Sequence, residues 1–160
     1  MKRDQNGYHL DDKDRLLLSI LQENAEISFS ELGKKVNLTK MAISNRIKRL
    51  KDAGIIEGSY FKVNPEKMGL DYTVISRVIC SHKGLEQEKI ANAIAKFPGV
   101  MSVYLVFGTS DMLVIARRKD KTSAKQLVYD ISRIPGVRNT NTTIPHTVIK
   151  ESLALDTMMK

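Results

Sequence analysis

Ser28 to Ile56 reads SFSELGKKVNLTKMAISNRIKRLKDAGII, and the apolar spacing in this stretch decides the fold. Leu32 and Val36 fall on one side of a short helix. Ile43, Ile47 and Leu50 cluster within about 60° of arc on a second. Ser28 and Ser30 compete to cap the first helix, Thr39 caps the second, and Gly54 ends it. Asn37 stands between them, a residue that tolerates the left-handed backbone of a tight turn. Between residues 34 and 51 there are seven basic side chains and no acid: Lys34, Lys35, Lys40, Arg46, Lys48, Arg49 and Lys51. The reading is two helices meeting at a turn, the second basic on its outer side.

Upstream, Leu10-Asp11-Asp12-Lys13-Asp14 opens another helix, with acids in the first turn where free amides favour them. Leu16, Leu17, Ile20 and Leu21 form its apolar stripe. Downstream, the partial alternation of Ile55–Val63, with Gly58 inside it, predicts a short twisted hairpin or wing. Residues 1–63 thus read as a winged helix-turn-helix domain, and 64–71, with Pro65 and Gly69, as a linker.

A compact helical unit that holds out a basic helix is a common way to enter a DNA major groove. Met41, Asn45 and Lys48 lie nearly opposite the buried side, with Ser44 and Arg49 at the margins. Their groups suit base edges or phosphates. Lys40 and Ser44 sit in the N-terminal turns, and Thr39 with the helix N-terminus can hold a phosphate. Arg46 projects about 65° from the core centre, so it either reaches phosphate or braces Asp14 or Glu31. The expected contacts to double-stranded DNA are Thr39, Lys40, Met41, Ser44, Asn45, Arg46, Lys48 and Arg49. An ordinary solvated basic face is the competing reading; the turn, the preceding helices and the wing favour DNA.

The remaining residues, 72–160, contain a repeat. Phe97-Pro98-Gly99-Val100 recurs as Ile134-Pro135-Gly136-Val137, each copy after a helical pattern and before a strand. Proline stops each helix and glycine supplies the turn. Predicted strands at Tyr72–Cys80, Val100–Phe107, Met112–Arg118 and Thr140–Ile149 are rich in β-branched residues. Predicted helices occupy Leu85–Phe97 and Thr122–Ile134. The order β-α-β-β-α-β is a ferredoxin-like unit, an antiparallel sheet with both helices on one face. The class is therefore α+β. The open face of such a sheet needs a partner, and a second copy is the simplest one, so at least a homodimer is expected. The tail beyond Glu151, with Leu153, Leu155, Met158 and Met159, either packs on a neighbour or stays unstructured.

Charge and composition narrow the function classes. The formal net charge is +8, spread over both halves, and favours polyanionic partners. Cys80 is the only cysteine, which rules out an intramolecular disulfide and argues against a cysteine zinc site. No apolar run approaches the roughly 18 residues of a membrane span, and Met1–Gly7 lacks a signal-peptide core. The expectation is a soluble cytoplasmic protein with no membrane partner. His9, His82 and His146 are scattered without metal-ligand spacing. No Ser/His/Asp set, paired-carboxylate site or phosphate-cradling loop appears, so no enzyme and no metal or cofactor is expected.

Taken in order, the motifs Leu10-Asp11-x-x-Asp14, Val36-x-Leu38-Thr39, Ile43-x-x-Arg46-Ile47-x-Arg49-Leu50, Gly54-Ile55-Ile56, Pro98-Gly99-Val100, Gly108-x-x-Asp111 and Pro135-Gly136-Val137-x-x-Thr140-x-Thr142 resemble the Lrp/AsnC, or feast/famine, transcriptional regulators. The likeness runs from Leu10 to about Glu151. It implies an effector-binding and oligomerising domain at 72–160, dimers that assemble to tetramers or octamers, and an amino-acid effector. It also implies a ligand site at Gly108, Thr109, Asp111, Thr140 and Thr142. A Gly turn can offer amides to a carboxylate, Asp111 can hold an ammonium, and threonine hydroxyls can orient either group. An ordinary hairpin turn is the competing account of 108–111. Where the family usually has Gly before the basic helix, this chain has Asn37. Two other readings remain: a haem-pathway decarboxylase of the same architecture, and an effector-independent chromatin protein.

Overall fold

The computed structural model describes residues 8–81 and 84–158, which form two compact units. One runs to Phe61 and takes in the tail from Lys150; the other is Lys62–Ile149. The sequence reading placed that tail with the second domain. Its hydrogen bonds to the first helix put it with the N-terminal unit. His82 and Met159 lie outside the described residues, as does Met1–Gly7.

The first unit holds α1 (Asp12–Glu23), α2 (Phe29–Val36) and α3 (Lys40–Asp52). Each start is fixed by local chemistry. Asp11 and Asp14 form a reciprocal capping box on α1, Ser28 and Glu31 one on α2, and Thr39 accepts from the Ala42 amide on α3. Ser28, not Ser30, is therefore the α2 cap. Asn37 closes α2 in the left-handed region at φ 54°. Gly33 makes the α2–α3 turn tight: its carbonyl accepts from the Leu38 amide at 2.8 Å. A Cβ there would meet the Leu38 carbonyl oxygen at 2.5 Å. Leu17, Leu18, Leu32, Val36, Ile43, Ile47 and Leu50 make the core, flanked by Tyr8, Leu10, Ile27, Leu38, Ile55 and Ile56.

The wing is looser than expected. Residues 55–64 contain no strand; Ile55 and Ile56 anchor the segment by donating to the Leu50 carbonyl. Beyond them Tyr60, Phe61 and Val63 are exposed, so too little apolar surface is buried to hold a two-stranded ribbon.

The second unit is β1 (Tyr72–Cys80), α4 (Leu85–Ala95), β2 (Val100–Leu105), β3 (Met112–Arg118), α5 (Lys121–Ser132) and β4 (Val137–Thr143). The sheet order is β2-β3-β1-β4 with every neighbour antiparallel, the ferredoxin-like topology. Val74, Val78, Met112, Val114 and Ala116 face Ile90, Ile94, Leu127 and Ile131 of the helices. The repeated motif builds one turn twice: Val100 donates to the Phe97 carbonyl at 3.1 Å and Val137 to the Ile134 carbonyl at 3.0 Å. Gly99 and Gly136 take φ 77° and 92°. Arg118 clips the first copy, donating to the Pro98 carbonyl.

Several element ends differ from the sequence reading. Phe97 and Ile134 belong to these turns, so both helices stop two residues early. β2 ends at Leu105, and the Val106 amide closes the hairpin on the Asp111 carbonyl. β4 lies at 137–143, not at Thr140–Ile149. The Gly136 turn feeds it directly, and Pro145, which has no amide to donate, follows its end.

Candidate nucleic-acid interface and ligand site

The buried side of α3 is Ile43, Ile47 and Leu50, as its spacing requires. Thr39, Lys40, Met41, Ser44, Asn45, Lys48 and Arg49 are all exposed, and Met41 keeps 71 % of its surface in solvent. The helix N-terminus presents free amides beside Thr39. The Thr39 oxygen accepts from Ala42 at 3.2 Å, and its hydroxyl hydrogen remains available to a phosphate. This flank can bind a polyanion without rearrangement.

Arg46 does something else. Its Nη1 donates to Asp14 Oδ1 at 2.6 Å and to Asp11 Oδ2 at 2.7 Å. Asp14 is almost fully buried, and its other oxygen accepts from the Tyr8 hydroxyl and the Asp11 amide. These hydrogen bonds hold the Arg46 guanidinium firmly protonated. Burial pushes Asp11 up, but the Asp14 amide and the Arg46 guanidinium outweigh it and hold Asp11 below its usual range. Arg46 thus braces α3 to the start of α1, which is one of the two roles its angle on the helix left open. Glu31, the other acid considered for it, serves the Ser28 cap.

Arg49 is exposed yet lies over the Tyr8 ring, 5.2 Å from its centroid. The Tyr8 hydroxyl is pushed up by burial and by the neighbouring Asp14 carboxylate. The sequence reading missed Tyr8. Its only signal was a lone aromatic just ahead of a capped helix.

In the second unit, Leu105, Met112, Val78 and Thr140 form one row across the sheet. The Asp111 amide donates to the Val78 carbonyl at 2.9 Å. The Gly108–Asp111 loop and Thr140 therefore share one end of the sheet, two strand spacings apart. Gly108 takes φ 128°, which favours glycine, and Gly108 and Thr109 are exposed. Thr142 lies two rows further in, its hydroxyl paired with Ser76 Oγ at 2.8 Å.

Asp111 is already engaged. One oxygen accepts from the Cys80 amide at 2.7 Å and the other from the Gln87 side chain at 2.8 Å. It ties the hairpin loop to the end of β1 and to α4. Burial, then this carboxylate, push the Cys80 thiol above its ordinary value, so Cys80 is a poor nucleophile. A shallow cavity of about 450 Å³ between α4 and β2 is lined by Glu88, Ala91, Asn92, Val103, Tyr104 and Leu105, none of them an expected effector residue. Among the described residues no cluster of His, Cys, Asp and Glu could hold a metal, and no helix is long and apolar enough to cross a membrane. His146 is exposed and pairs with Thr147.

Known proteins agree with this geometry. Residues 10–57 match the winged helix-turn-helix DNA-binding family and residues 73–155 the Lrp/AsnC ligand binding domain. A Pyrococcus furiosus protein described as an uncharacterized HTH-type transcriptional regulator is 35% identical over 92% of this chain and 98% of its own. The HTH-type transcriptional regulator FL11 of that organism is 32% identical, over 91% and 95%. A transcriptional regulator from Neisseria meningitidis, crystallised as an L-Met complex, superposes with TM-score 0.86 at 28% identity, covering 92% of this chain and 96% of that one. An AsnC family regulator from Agrobacterium tumefaciens shares the fold with TM-score 0.87 at 24% identity, covering 94% and 100%. These matches make the chain a transcriptional regulator and not an enzyme, and it belongs to the Lrp/AsnC family.

Proposed function

We propose that the chain binds specific duplex sites through the exposed flank of α3 and changes its assembly or affinity when an amino acid occupies the second unit. The observation that carries the DNA half is the exposure of Thr39, Lys40, Met41, Ser44, Asn45, Lys48 and Arg49 around a capped helix start. Ser44 and Asn45 read base edges; Lys40, Lys48 and Arg49 meet phosphates; Arg46 sets the angle of the helix.

The effector site is the sheet end bearing Gly108, Thr109, Asp111, Thr140 and Thr142. Exposed loop amides at Gly108 and Thr109 meet the carboxylate, and the Thr140 hydroxyl orients it. Each Asp111 oxygen keeps one further acceptor position for the ammonium, while its existing bonds hold the loop in place. Thr142 supports the strand through Ser76. The L-Met carried by the Neisseria meningitidis regulator supports an amino acid as the ligand class. Half-buried Ile75, Ile79, Leu113 and Ile115 alternate on the sheet face away from the helices, and a second copy covers them. A homodimer that assembles to a tetramer or octamer in the cytoplasm fits these features.

Effector binding alters DNA binding only if it favours one arrangement over another. Selection of genomic fragments with and without each amino acid tests both halves together. The expected result is a small set of related sites whose recovery changes with one or a few amino acids, which also raise the melting temperature. Recovery indifferent to sequence and to every amino acid supports the chromatin reading instead.

A further inference from the structure

The tail is held on α1 by main-chain chemistry. The Gln22 side chain donates to the Leu155 carbonyl at 3.0 Å and accepts from the Leu155 amide at 2.6 Å. Seven residues earlier on the helix, Arg15 Nη1 donates to the Thr157 carbonyl at 3.2 Å, and the Thr157 hydroxyl donates to the Arg15 carbonyl at 3.0 Å. Arg15 and Gln22 lie within about 20° of each other around α1, so one flank of the helix carries both pairs.

Leu153, Leu155 and Met158 remain 69%, 77% and 54% exposed, so docking buries little apolar surface. Polar bonds near solvent each gain only a little over the entropy lost in ordering a segment, so a dock built on them is open to release. The docked state sits next to the DNA-binding machinery, for Arg15 follows Asp14, the acid that receives Arg46 from α3. The tail also follows β4, the strand bearing Thr140 and Thr142, and the chain crosses between the two units a second time to reach α1.

We propose that residues 152–158 are a releasable strap on the DNA-binding unit. Docked through Gln22 and Arg15, the strap stiffens α1 and, through the Asp14–Arg46 brace, keeps α3 set for the duplex. Released, it leaves α3 less well held.

The test compares the full chain with Gln22→Ala, Gln22→Glu and a chain ending at Lys150. It reads amide hydrogen exchange and anisotropy on a labelled mixed-sequence duplex. In Gln22→Ala the Leu155 amide should exchange about tenfold faster, with α1 faster and α4 and α5 unchanged. Gln22→Glu keeps the acceptor for that amide but not the donor, so its exchange should fall between. Gln22→Ala and the shortened chain should both bind the duplex about two- to fivefold more weakly. Wild-type exchange at Leu155 in Gln22→Ala, or wild-type duplex affinity in either variant, overturns the strap.

Discussion

Arg46→Ala removes the cation that Asp11 and Asp14 both face, and it separates bracing from DNA contact. Asp14 is 2 % exposed and loses a partner at 2.6 Å. Deleting one side of a buried ion pair costs roughly 3–5 kcal/mol, most of it the uncompensated charge left behind. Two features lower that figure. Arg46 is itself 21% exposed, and the Tyr8 hydroxyl and Asp11 amide, both at 3.3 Å, still donate to Asp14. The Asp11 half adds little, because a carboxylate with 48% of its side chain in solvent is screened. The expected loss is about 2–3 kcal/mol, or a urea midpoint lower by about 1–1.5 M at a slope near 2 kcal/mol/M. Circular dichroism during denaturation measures it. Arg46→Lys should recover part of the loss, since one ammonium cannot reproduce the fixed guanidinium fork. A loss below about 0.5 kcal/mol, together with a DNA salt slope reduced by about one, refutes the brace and makes Arg46 a phosphate ligand.

Other perturbations probe neighbouring parts of the account. Gly33→Ala should cost about 1–3 kcal/mol by forcing the Leu38 carbonyl away and opening the α2–α3 turn; an unchanged melting temperature counts against that packing. Asp11 is held below its usual value of 3.8, so its contribution is present above that pH and lost as pH falls through the folded value. Asp11→Asn should therefore be less stable than wild type at pH 7, with the difference vanishing in acid below 3.8; a constant difference contradicts the assignment. Asp111→Asn removes the charge that helps suppress the Cys80 thiolate, so alkylation of Cys80 should accelerate at fixed pH; an unchanged rate dissociates the two groups.

Much of the first unit was legible because its signals are local. Asp11, Ser28 and Thr39 cap helices through bonds to residues three positions away, and Ile43, Ile47 and Leu50 define a face by spacing alone. The twin Pro-Gly-Val turns were readable for the same reason. What was missed depends on partners distant in the chain. Arg46 had two candidate acids at sequence level, and Glu31 drops out only once its capping bond is seen. Asp111 looked free for a ligand because nothing local shows that the Cys80 amide, 31 residues away, points at it. The tail gave no pattern, since three of its four docking bonds use main-chain groups of Leu155 and Thr157, which nearly every residue has, and only the fourth uses a side chain of the tail, the Thr157 hydroxyl. The end of β4 was misjudged because Ile144, Thr147, Val148 and Ile149 are β-branched and read as strand, although Pro145 interrupts them.

The most direct test is the salt dependence of duplex binding by wild type and by Lys40→Ala/Lys48→Ala, followed by anisotropy between low and physiological salt. If the outer side of α3 lies against the phosphates, the plot of log affinity against log salt should flatten by about two in the double variant, about one per lost contact, with stability unchanged. Equal slopes for the two proteins would mean that DNA is held elsewhere.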